Sequence, residues 1–330
     1  MSQPTNDALL ARETPLGSRV DPRASTRPDS GEILRAGLGA PLLLFHGITC
    51  SAHVWSAVVP RLAREHEVIV PTALGHRGGA RSSVRPVRIA HVVDDAERTL
   101  DRLGIARAHL AGNSMGGWVA LELARRGRAL SVCALSPAGA WRENHSVGDK
   151  LRNIVTLTRV TRPLLSLFAH SATFRRLAMR DNATYGDRIA RAELLRLVDD
   201  LLGCEAASDL LKTNEALSEL DVDCPTTIAW SENDRIFPID EYLPIARQRV
   251  PRARFVVLKD VGHVPMLDNP ELVADTILEA CQTACGYQAE PPSTGVSPAL
   301  RQTKPSGAVE ARGAAREPEM AGAAKAAPAR

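Results

Sequence analysis

The chain holds six cysteines (Cys50, Cys133, Cys204, Cys224, Cys281, Cys285), yet it has no C-x-x-C pair and no cysteine–histidine cluster spaced for zinc. Those absences exclude a zinc ribbon and a dithiol redox motif, and the cysteines read as reduced, mostly buried thiols. Cys281 and Cys285, four apart on an expected helix, read as sharing one packed face. No stretch approaches the ~20 apolar residues that span a bilayer. Met1 to Pro15 carries acidic and polar residues where a secretory leader needs a basic start and an apolar run, so a cytoplasmic protein is expected. Charge of one sign is scarce too. The formal net charge is +3, and residues 301–330 alone hold six Lys and Arg against three Glu, which is the whole surplus. The remainder is close to neutral, which argues against nucleic acid as a partner. There is no internal repeat.

What is present is a sheet-and-helix rhythm between two polar ends. Residues 1–30 are rich in Pro, Ser, Arg and Asp, residues 287–330 in Ala, Pro, Gly and charge, and both are expected to be disordered extensions. Between them, short apolar runs alternate with amphipathic segments, the pattern of a mostly parallel sheet flanked by helices. Strands are expected at Pro41–Phe45, Glu67–Val70, Ala108–Ala111, Ser131–Leu135, Thr226–Trp230 and Arg254–Leu258. Most are apolar throughout, as strands covered on both faces are. Helices are expected near 52–64, 88–103, 115–126, 239–248 and 270–284, the last opened by Asn269-Pro270-Glu271. From 141 to 219 only Leu- and Arg-rich helical pattern appears. The expected organisation is therefore an α/β core over 31–140 and 220–286, interrupted by a helical cap over 141–219.

The segment Ala108-His109-Leu110-Ala111-Gly112-Asn113-Ser114-Met115-Gly116 passes from an apolar strand through a tight turn into a helix. A serine in that turn sits in strained backbone, so its neighbours two positions away must lack side chains, as Gly112 and Gly116 do. A serine hydroxyl is a poor nucleophile without a base held by a carboxylate. Asp234 follows the strand Thr226–Trp230, and Glu232, two residues nearer that strand, is its competitor. His263, in the loop after the next strand, is the only histidine among the last 150 residues and the candidate base. Of the other histidines, His109 reads as part of the elbow strand, and His66, His91, His145 and His170 as parts of helices. Two donors are needed for an oxyanion. The backbone N–H groups of Met115 and of Ile48, in His46-Gly47-Ile48-Thr49, are the candidates, with Gly47 giving the sharp turn and His46 a structural partner of that loop.

Phe45-His46-Gly47, Gly112-Asn113-Ser114-Met115-Gly116-Gly117, Trp230 through Pro238, and Gly262-His263-Val264-Pro265-Met266 together resemble the fingerprints of the α/β-hydrolase superfamily, in order, over residues 40–285. The resemblance implies the α/β-hydrolase fold with an eight-stranded, mostly parallel sheet, a Ser–Asp–His triad, no cofactor, and a helical cap after the sixth strand. Two departures stand out. Pro71 through Gly79 replaces the usual Asp and Gly-His-Gly loop, and the stretch around Gly31–Arg35 leaves room for at most one or two of the first strands. Ser114 stands where haloalkane dehalogenases and epoxide hydrolases carry an aspartate. The elbow is similar to that of C–C bond hydrolases, but Ile48-Thr49-Cys50-Ser51 and Val264 differ from their pattern, so a carboxylesterase or lactonase acting on an apolar acyl substrate fits better. Arg159, Arg162, Arg175 and Arg176 read as a solvated helical face or as ligands of a substrate carboxylate. A triad-bearing scaffold that binds a ligand with little turnover is the alternative from another class.

Overall fold

The computed structural model describes residues 31–141, 148–212 and 215–285, with the side chains of 148–157 and of Cys285 left aside. The two expected extensions, His145 and the Cys285 side chain lie outside what is described. In chain order the elements are β1 (Ile33–Ala36), β2 (Ala40–Phe45), a 3₁₀ turn (Ala52–Trp55), α1 (Val59–Leu62), β3 (His66–Pro71), α2 (Ile89–Arg102), β4 (Ala108–Asn113), α3 (Met115–Arg125) and β5 (Ala129–Leu135). Then come α4 (Gly148–Phe168), α5 (Ala172–Ala178), α6 (Arg191–Gly203), α7 (Ala207–Leu210), β6 (Thr226–Ser231), α8 (Ile239–Arg249), β7 (Arg254–Leu258), α9 (Pro265–Asp268) and α10 (Pro270–Cys285).

The strands form one sheet in the order β1-β3-β2-β4-β5-β6-β7, in which β1 runs antiparallel to β3 and every other pairing is parallel. Side chains alternate across it with the strand period of two. Leu43, Phe45, Leu110, Val132 and Ile228 join the core beneath α2, α3 and α8, while Leu42, Leu44, Ala111, Cys133 and Ala229 join the core beneath α1 and α10. Burial on both faces explains why these strands read as unbroken apolar runs.

Four details depart from expectation. Seven strands are present among the described residues, one fewer than the resemblance implies, because Ile33–Ala36 is the single strand ahead of β2. The helix expected over 52–64 is a 3₁₀ turn followed by one turn of α-helix with Pro60 near its start. His66 opens β3 rather than lying in a helix. Finally, β4 continues through Gly112 and Asn113, right up to Ser114.

The topology fixes where a ligand belongs. From β2 the chain goes to β3 on one side and then crosses to β4 on the other, so the switch point of the sheet lies between β2 and β4. The loops leaving the carboxyl ends of those strands are His46–Thr49 and the Ser114 elbow. Helices α4 to α7, between β5 and β6, carry a small core of their own, with Ala169, Met179, Ala183, Ile189 and Leu194 packed against Leu267 of α9.

Candidate active site

Ser114 links β4 to α3 with φ 55° and ψ −118°, a conformation that costs a non-glycine residue energy and is held only by its surroundings. Its N–H donates to Leu135 O at 2.9 Å, and its carbonyl accepts from Ala138 N at 2.9 Å and Trp118 N at 3.2 Å. A Cβ at Gly112 would stand 2.2 Å from Gly116 O, and one at Gly116 would stand 2.1 Å from Phe45 O. Both positions are therefore closed to any side chain. Met115 is the first residue of α3, so its N–H has no partner within the helix, and the residue borders a cavity.

The loop after β2 passes beside this elbow. A Cβ on Gly47 would lie 3.4 Å from the Ser114 Cβ. Thr49 adopts φ 64°, and Cys50 N donates to Gly47 O at 3.2 Å, which closes the turn around Ile48. His46 is buried under it. Its Nε2 accepts from Ala73 N at 2.9 Å, so Nδ1 carries the proton donated to Gly47 O at 2.8 Å. Burial lowers the His46 pKa to about 4, which keeps the ring neutral and unable to serve as a base from that position.

His263 and Asp234 meet on the loops after β7 and β6. Nδ1 of His263 lies 2.7 Å from Asp234 Oδ2, and both side chains are buried. The other oxygen, Oδ1, accepts from Ile236 N at 2.9 Å and Phe237 N at 2.7 Å. Trp230, at the end of β6, clamps the same loop by donating Nε1–H to Phe237 O at 2.9 Å. Glu232 instead faces solvent, where Lys259 Nζ donates to it at 2.6 Å, so it is apart from the histidine. The Phe237 ring meets His263 edge-on at 4.9 Å.

Ser114, His263, Ile48 and Met115 open onto one cavity of about 660 Å³. Its walls are mostly apolar: Trp118, Trp141, Ile236 and Phe237 come from the core, and Leu165, Met179, Leu194, Leu197, Val198 and Leu201 from the inserted helices, with Asp181, Asn182 and Arg235 among the polar residues. Arg235 is the only Lys or Arg among the described residues that line it. The four arginines noted in the sequence do not line it. Arg162 pairs with Asp199 at 2.8 Å, Arg175 donates to the carbonyls of Ala169, His170 and Asp187, and Arg159 and Arg176 face solvent.

Sequence reasoning passed over several supports. Asn113 Nδ2 donates to His263 O at 2.8 Å. Asp268, on α9, accepts from Gly262 N at 2.7 Å and from Thr184 N and Tyr185 N at 2.9 and 2.8 Å, tying the histidine loop to the inserted helices. Asp200 of α6 is buried and accepts from Ser51 Oγ at 2.5 Å and Arg77 Nη1 at 3.0 Å. The sequence-level signal for Asn113 was its place inside the elbow motif, whereas Asp268 and Asp200 have none.

A doubly wound sheet with a strained serine at its switch point puts the chain among the α/β-fold hydrolases. The sequence pattern of the alpha/beta hydrolase family matches residues 42–276, and the chain belongs to that family. Epoxide hydrolase EphH of Mycobacterium tuberculosis is 33% identical over 207 residues, 60% of this chain and 97% of that protein. A putative non-heme haloperoxidase of Mycobacterium phage D29 is 32% identical over 257 residues, 73% of this chain and 87% of that one. Among solved structures, a thermophilic esterase from Thermogutta terrifontis has a TM-score of 0.57 at 24% identity, covering 77% of this chain and 93% of its own. That likeness is one of fold. Among the described residues no helix is long and apolar enough to cross a membrane.

Proposed function

We propose that the chain is a serine hydrolase that cleaves a carboxylic ester or lactone through an acyl-enzyme on Ser114. The observation that carries this reading is the buried 2.7 Å contact between His263 and Asp234, beside the cavity onto which Ser114 opens. His263 Nε2 takes the proton of Ser114 as its oxygen attacks the carbonyl carbon. Asp234, its other oxygen held by two backbone N–H groups, fixes the tautomer and stabilises the imidazolium. The N–H groups of Met115 and Ile48 receive the oxyanion, each donor lowering the barrier by roughly 3 kcal/mol. His263 then protonates the leaving alcohol, and a water activated by the same nitrogen releases the acid. Helices α4 to α7 act as the cap that excludes bulk water from these steps.

The relatives differ in chemistry, and the serine discriminates between them. A carboxylate that opens an epoxide forms an ester, which water hydrolyses; a serine oxygen would form an ether, which water does not. Ring-fission substrates of C–C hydrolases carry a carboxylate, whereas the walls around Ser114 are mostly apolar, with Arg235 the one guanidinium among the described lining residues. A cavity of about 660 Å³ lies within the roughly 300–1,000 Å³ of small-molecule sites and suits an apolar acyl or alcohol group.

The test is a panel of aryl and alkyl esters and lactones of increasing chain length, run beside an epoxide and a ring-fission product. A kcat on the order of 1 per second or more on an ester or lactone is expected. Turnover confined to the epoxide or the ring-fission product would refute the reading, and tight binding with no turnover of any member would identify a ligand-binding scaffold instead.

A further inference from the structure

The described side chains of α4, from Thr158 to Phe168, divide between two faces. One side carries Thr158 and Leu165 into the cavity wall and Arg162 onto Asp199 of α6 at 2.8 Å. Arg191 donates to Ser166 O at 3.2 Å, so the rotation of the helix is fixed. The other side carries Val160, Leu164, Leu167 and Phe168 at i, i+4, i+7 and i+8, one stripe of a helix. These four are 76%, 56%, 67% and 51% exposed, and Leu177 of α5 is 62% exposed. Among the described residues they make up five of the eight large apolar side chains that are exposed, and all five lie within the inserted helices. Singly exposed leucines need no explanation, but a contiguous stripe does.

The charge around the stripe is one-sided. Residues 158–191 contain seven arginines against two aspartates, a net charge of +5 in a chain whose total is +3. Arg159 and Arg176 are exposed, and Arg180 is exposed and paired with Asp181 at 3.6 Å. Of the nearby acids of α6, Asp199 is neutralised by its pair with Arg162, and Asp200 is buried against Ser51. A second copy docking through this face would oppose two such arginine-rich surfaces. An anionic bilayer answers both features, since its acyl boundary takes the stripe and its headgroups take the guanidinium groups.

We propose that α4 and α5 form a docking face for anionic lipid surfaces, holding the protein on the membrane without crossing it. The inference is independent of the reaction at Ser114. It is tested by co-sedimentation of the full chain with vesicles of phosphatidylcholine containing about one part in three phosphatidylglycerol, beside pure phosphatidylcholine. Binding to the mixed vesicles that weakens with salt is expected, with little binding to the pure ones. Leu164→Asp with Leu167→Asp should reduce that binding about tenfold or more. Arg159→Glu with Arg176→Glu should reduce it and flatten its salt dependence. All four side chains are exposed, an unchanged unfolding midpoint checks the fold, and the arginine pair keeps the test decisive should the leucine pair misfold. No binding to mixed vesicles, or binding that survives both pairs, overturns the proposal. So does a concentration-dependent dimer abolished by the same substitutions, which would assign the face to a second copy.

Discussion

Asn113 reaches across 150 residues of sequence to donate its Nδ2–H to the backbone carbonyl of His263 at 2.8 Å, and the same nitrogen lies 3.3 Å from Leu135 O. The residue just before the proposed nucleophile thus holds the loop of the proposed base. Asn113→Ala strands the buried carbonyl of His263, while Leu135 O keeps the Ser114 N–H, and should cost about 1–3 kcal/mol of stability. It should also lower kcat on the fastest ester by about tenfold with a smaller change in KM, because the histidine shifts without loss of the cavity wall. Urea unfolding and steady-state kinetics check both effects, and an unchanged kcat would deny Asn113 any positioning role.

Asp200 is buried between Ser51 and a half-exposed Arg77, which makes the two ends of this ion pair unequal. Arg77→Ala leaves a carboxylate in the interior with one hydroxyl for company, at a cost of about 3 kcal/mol. Asp200→Asn leaves a guanidinium that water can solvate and keeps an acceptor for Ser51, at a cost of about 1 kcal/mol. The arginine variant is therefore expected to be the less stable one by urea denaturation. The reverse order would contradict a buried charge at Asp200.

Two histidines beneath the site make stability depend on acid. Burial lowers the pKa of His46 to about 4 and that of His76 to about 3, with the His46 ring 5.0 Å away adding to the second shift. Below the unfolded value of 6.5 the unfolded chain takes up protons that the folded chain refuses, so the stability these groups contribute is complete above pH 6.5. It declines as pH falls toward 4, with a slope of up to about 1.4 kcal/mol per pH unit for each ring. Urea midpoints from pH 7 to 4.5 should fall, and His46→Gln and His76→Gln should each flatten the fall. Midpoints that stay level in the wild type would contradict buried neutral rings.

How much of this was legible in the sequence follows from how local each cause is. The strands were readable because sheets covered on both faces demand apolar runs, and the elbow because a strained serine needs glycines at two set positions. Asp234 could be preferred over Glu232 on its place in the motif, and the geometry shows the difference: its Oδ1 accepts from Ile236 N and Phe237 N and its Oδ2 faces His263 Nδ1, while Glu232 turns out to Lys259. His66 misled because one charged neighbour ahead of three apolar residues fits a helix face as well as a strand start. Asp199 and Asp200 were indistinguishable as neighbours in a leucine-rich helix. One meets Arg162 on α4 and the other meets Ser51, 149 residues away, and no local pattern encodes that choice.

The central claim is that Ser114 is a nucleophile activated by His263. Intact-mass analysis after exposure to a fluorophosphonate tests it most directly. A single adduct that maps to Ser114, is absent from Ser114→Ala and forms at least about a hundredfold more slowly in His263→Ala is predicted. An adduct of equal stoichiometry on Ser114→Ala, or esterase turnover by that variant at the wild-type rate, would contradict it.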